Sequence, residues 1–150
     1  MNAMLETMSG LLEEATTELV ATNDYDSRTF LLRGGSVIDS RSHKGIGRDE
    51  MTSFYEEVAQ DAMRLGADAV VDTVILVRKH GENAPGLWSL FVVGASSNGE
   101  MEAMAAWFHR SPEGVLIVDD SQHPRHIPRD GFTVLHLEPF LRGWREAEQS

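Results

Sequence analysis

The stretch from Asp49 to Ala95 constrains the fold more than any other part of this chain, because it joins an amphipathic helix to a long apolar hairpin through one glycine. Met51, Phe54, Tyr55, Val58, Ala59, Ala62 and Leu65 recur at steps of three and four, which places them on a single helical face. Ser53, Glu56, Glu57, Gln60, Asp61 and Arg64 fill the opposite face. Gly66 supplies the left-handed residue that commonly ends a helix. A strand over Val70–Val77 follows, and a second over Leu87–Ala95 after the loop at residues 80–86. Val74-Ile75-Leu76-Val77 and Leu90-Phe91-Val92-Val93 are apolar at consecutive positions, so both faces of these strands should be covered. The helix supplies one cover. The other falls to further helices, the C-terminal segment or a second subunit, with Trp88 as a core or interface anchor.

The flanking segments extend this unit. Over Met1–Ala21, Leu5, Met8, Leu12, Ala15 and Leu19 step by three and four and predict a helix with a heptad-like seam. Gly10 and Thr16-Thr17 weaken it, so it must dock to persist, either on its own domain or on a neighbouring subunit. Those five residues and Trp88 are the candidates for a subunit interface. Asn23–Ser27 reads as a linker. Thr29–Leu32 begins a strand that Gly34-Gly35 interrupts, as at a bulge or a close backbone approach, and Ser36–Ser40 resumes extended chain. Beyond Asn98, Met101, Met104, Ala105 and Phe108 predict another helix, ended by Pro112 and Gly114. A short strand Val115–Val118, a polar loop Asp119–Gly131, a strand Phe132–Leu137 and a helix Pro139–Gln149 carrying Phe140, Leu141 and Trp144 complete the reading. The expected fold is α+β: a mainly antiparallel sheet with helices packed on it in one compact domain. It divides into an N-terminal helix (1–22), a core (28–97) and a C-terminal extension of the same domain (98–150).

Composition removes several classes of function. The chain has 150 residues and no cysteine, which excludes disulfides, thiolate metal sites and a cysteine nucleophile. No apolar run approaches the ~20 residues of a membrane span, so no membrane partner and a cytoplasmic location are expected. A net charge of −11 argues against nucleic acid, whose phosphates are held mainly by lysine and arginine. The GxGxxG and Walker patterns are absent, as is a GxSxG elbow. An anion could lie among Arg41, Lys44 and Arg48, but the surrounding loop has no phosphate-binding pattern.

Asp119, Asp120, His123 and His126 are the one sequence-local group with metal-capable side chains, and His136 could reach them. Their spacing in a proline-containing loop lacks the fixed face of a helical metal motif, so no metal, cofactor or catalytic residue is assigned.

The run Glu57–Val71, with its Leu65-Gly66-Ala67-Asp68-Ala69-Val70-Val71 turn, resembles the helix-to-strand signature of the YbjQ-like, so-called heavy-metal-binding, family. The strand ending Leu90-Phe91-Val92-Val93-Gly94-Ala95 and the glycine-containing strand before the helix fit the same pattern. The resemblance spans roughly Arg28–Ala95. It implies a small α+β protein, similar to dodecin-like assemblies, that forms ring-shaped homo-oligomers, pentamers in particular. The acidic N-terminal helix and the residues after Ala95 lie outside it. The expected function is therefore a non-catalytic oligomeric or binding module with an undefined small-molecule ligand. The alternatives are a small metal-dependent enzyme or metal-binding protein using the Asp119–His126 loop, and an accessory subunit of a larger assembly.

Overall fold

A computed structural model describes residues 2–78, 87–118 and 126–149. It shows the expected α+β architecture, an antiparallel sheet carrying three helices. Helix α1 spans Ala3–Thr22, and the hairpin β1 (Arg28–Arg33) and β2 (Ser36–Ser42) follows. A 3-10 turn at Arg48–Glu50 leads into α2 (Met51–Leu65), then β3 (Ala69–Arg78), β4 (Leu87–Ser96) and β5 (Met101–Arg110). The short strands β6 (Leu116–Val118) and β7 (His126–Ile127) precede a 3-10 turn at Leu135–Leu137 and α3 (Glu138–Gln149). The strand order is β2-β1-β3-β4-β5-β6, and β7 pairs with β5 beside β6.

Gly34 (φ 59°) and Gly35 (φ 84°) form a two-residue hairpin turn, closed by the Arg33–Ser36 pair. Positive φ at both central residues gives a turn whose twist matches that of the strands, and glycine adopts it without steric cost. The interruption expected inside a strand is thus a reversal between two strands. A separate bulge lies between Leu31 and Leu32, where β2 carries one extra residue. Gly66 (φ 72°) ends α2 as its place in the sequence predicts.

The sheet has two apolar faces. On one, Met4, Met8, Leu12, Ala15 and Leu19 of α1 pack against Leu32, Val71, Leu90, Val92, Ala106 and Phe108. On the other, Tyr55, Val58, Ala59 and Ala62 of α2 and Phe140 and Trp144 of α3 pack against Leu31, Val70, Val93 and Ala103. The Trp144 indole N–H also donates to the Ala67 carbonyl at 3.0 Å, tying α3 to the end of α2. The second cover of the apolar hairpin is therefore α1 from the same chain.

This corrects the reading of the heptad seam as a subunit contact. Met8, Leu12, Ala15 and Leu19 are at most 2% exposed, and Leu5 is partly buried against the same cluster. Gly94 makes the docking possible: a Cβ there would meet the Met8 sulfur at 2.8 Å and the Met4 sulfur at 3.1 Å. The Asn2 side chain starts α1 by accepting the Leu5 N–H at 2.7 Å. The Trp88 side chain lies outside the described residues.

The segment expected as the loop Asp119–Gly131 contains the two-residue strand β7, and two further elements differ from expectation. Met101–Arg110 is a strand rather than a helix, hydrogen-bonded along β4 from Trp88–Phe108 to Ala95–Met101. Met104, Ala106 and Phe108 turn to α1, whereas Met101 and Ala103 turn to α2 and α3. Because both faces are covered, apolar residues fall at consecutive positions and three- and four-residue spacings arise that imitate a helix. Phe132–Leu137 is likewise no strand. It runs through irregular chain into the 3-10 turn that precedes α3.

Candidate functional site

An aspartate inside an otherwise apolar strand must find partners, because a buried, unpaired carboxylate is costly. Asp72 of β3 is 2% exposed, and four elements besides β3 supply its partners. Thr29, its cross-strand neighbour on β1, donates its hydroxyl to Oδ1 at 2.6 Å. Tyr55 of α2 donates to Oδ2, also at 2.6 Å. His43, just beyond β2, places Nε2 at 3.1 Å from Oδ1. His136, in the 3-10 turn before α3, places Nε2 at 3.4 Å from Oδ2. The three rings stack edge-on: Tyr55 lies between His43, with centroids 6.1 Å apart, and His136, at 5.4 Å. Phe54, partly buried, backs His43 at 5.2 Å.

Proton placement follows from this geometry. Burial pushes the Asp72 carboxyl up, but the bonds from His136, His43, Thr29 and Tyr55 more than reverse this and hold it well below the usual carboxylate range. The ionised carboxylate only accepts, so Thr29 spends its single proton on Oδ1. The Thr29 oxygen must then accept from His43 Nε2, 2.8 Å away, which makes Nε2 the protonated nitrogen of that ring. Burial, and then the charge of Asp72, raises the Tyr55 phenol far above its ordinary value. Tyr55 is therefore a neutral donor across the physiological range.

Above this network lies a cleft of about 380 Å³ on the sheet face that carries α2 and α3. Val74, Phe91, Val93 and Phe132 give it apolar walls, and Tyr55, Asp72 and His136 form its polar floor. His136 is the most open group of that floor, with 32% of its side chain exposed. The arrangement can bind a small molecule that has an apolar body and one hydrogen-bonding end.

The residues singled out from the sequence fall elsewhere. Asp119, Asp120 and His123 lie outside the described residues. His126 is exposed and faces Glu102 Oε2 at 2.5 Å, so it and His136 have different partners. Among the described residues, no group of three histidines and acids is arranged to hold a metal ion. Arg41 is engaged by Asp39 at 2.8 Å and Asp61 at 2.9 Å. Among the described residues, no helix is long and apolar enough to cross a membrane. Sequence reasoning passed over Asp72, Thr29, Tyr55 and His43. The one local signal was the acid within Val70-Val71-Asp72-Thr73-Val74.

Comparison with protein-family models, with curated proteins and with solved structures returned no match to this chain.

Proposed function

We propose that this chain is a non-catalytic binding module that holds a small, largely apolar ligand in the cleft above Asp72. One observation carries the reading: an apolar cleft opens directly onto a buried, fully partnered carboxylate network. An apolar cleft with a few convergent polar groups at its foot has the make-up of a small-molecule site. Binding is favoured over catalysis because the Thr29 and Tyr55 protons are already committed to Asp72.

A titration with the neutral fluorescent probe N-phenyl-1-naphthylamine tests this. It should give one saturable site, with NMR shifts concentrated on the methyl groups of Val74 and Val93. Non-saturable binding, or shifts centred on Met8 and Leu12 under α1, would refute the assignment.

Self-association is a second reading, supported by the outer edge of the sheet and by the YbjQ-like resemblance. Among the described strands, β2 pairs only with β1, and Val37 on it is 45% exposed. An edge of this kind is a template for another strand. Light scattering should then report a multiple of 16.6 kDa, lowered by Ile38→Pro on that edge. A monomer at all concentrations would end this reading.

A further inference from the structure

The polar floor of the cleft determines which chemical group it accepts. Asp72 is closed to a ligand: Thr29 and Tyr55 donate to its two oxygens at 2.6 Å, the His43 and His136 rings stand over them at 3.1 and 3.4 Å, and the residue is 2% exposed. Tyr55 gives its only proton to Asp72. The group presented to a ligand is His136. Its Nε2 faces an ionised carboxylate, so in the neutral ring Nε2 carries the proton and Nδ1 is left as an acceptor. An acceptor backed by a buried negative charge favours a hydrogen-bond donor and repels an anion. An ammonium ion would lose its hydration against Val74, Phe91, Val93 and Phe132 and could not reach the buried Asp72.

We propose that the cleft binds a neutral aromatic hydroxyl compound, its ring against Phe91 and Phe132 and its O–H donated to His136 Nδ1. This rests on the reading of the cleft as the ligand site. It adds a selectivity that an apolar cleft alone would not have.

The test compares 2-naphthol, 2-methoxynaphthalene and 2-naphthoate on the whole protein by calorimetry, with NMR shifts at Val74 and Val93 reporting occupancy. The hydroxyl should bind about 10-fold tighter than the ether of the same ring, as one retained hydrogen bond allows, and the carboxylate should bind most weakly. His136→Phe keeps an aromatic ring beside the cleft but offers no hydrogen-bond acceptor. It should abolish the preference for 2-naphthol over the ether. Should that variant fail to fold, the three-ligand series on the native protein decides alone. Equal affinities for hydroxyl and ether, with the cleft methyl groups shifting, would overturn the donor selectivity and leave the cleft assignment standing. Tightest binding by 2-naphthoate would overturn it in favour of an anion site. No binding by any of the three would remove the proposal and the cleft assignment together.

Discussion

The two faces of the sheet are built for different ends. Under α1 the contact is apolar, with Met4, Met8, Leu12 and Leu19 meeting Leu90, Val92 and Phe108. Under α2 and α3 the apolar core borders an ionised aspartate, two histidines and a tyrosine, and beside them the cleft opens. One helix seals the first face along its length, whereas two shorter helices leave part of the second uncovered. A face devoted to burial and a face that carries chemistry can share the same strands, because alternate residues of a strand point to opposite sides.

Four substitutions probe that contrast. The largest effect should come from the sealed face: Phe108, wholly buried, replaced by alanine should cost roughly 3–5 kcal/mol of stability. Probe affinity in the cleft should stay unchanged in whatever fraction remains folded. A large loss of affinity in folded Phe108→Ala protein would show that the faces are not independent.

On the other face, Asp72→Asn should cost about 3 kcal/mol, since it removes a buried charge whose partners stay in place. It should also alter the acid response. The Asp72 carboxyl is held below its unfolded value, so its contribution is full above about pH 4, the ordinary carboxyl value. It is lost as pH falls through the folded value. Urea midpoints measured from pH 6 to pH 3 should therefore fall more steeply for the native protein than for Asp72→Asn. Parallel curves would mean that the network contributes nothing specific.

Tyr55→Phe should cost about 2 kcal/mol, the worth of a hydrogen bond to a charged acceptor. The Tyr55 phenol is raised on folding, so its contribution is present below about pH 10 and is lost as pH rises through the folded value. Denaturation at alkaline pH should lose that component in Tyr55→Phe. The smallest effect is expected at Glu57, on the solvent side of α2, where alanine should change stability by less than about 0.5 kcal/mol. A larger change would mean that the outer surface of α2 meets a partner.

The elements read correctly and those read wrongly differ in how far their determinants reach. The register of α2 and its end at Gly66 follow from residues three or four apart. Met101–Arg110 has the pattern of a helix because its alanines and methionines suit one, while the competing signal lies just upstream. Asn98-Gly99 between two apolar runs is a strong hairpin marker. Gly99 indeed takes φ 89°, and the Glu100 carbonyl accepts the Ser96 N–H at 2.9 Å. In the sequence His136 offers itself only as a companion of the Asp119–His126 loop, and nothing near it points to Asp72.

By itself the sequence determined the α+β class, the helical faces of α1 and α2, and the need to cover both sides of the β3–β4 hairpin. These follow from local periodicity and from the chemistry of single turns. Only the tertiary structure decided that α1 supplies the second cover from within the chain, because that depends on Gly94 lying opposite Met4 and Met8. The site was decided at the same level. Thr29, His43, Tyr55, Asp72 and His136 come from five separate segments. Only the pairing of β1 with β3, and the packing of α2 and the 3-10 turn over that pair, brings their polar atoms to one carboxylate.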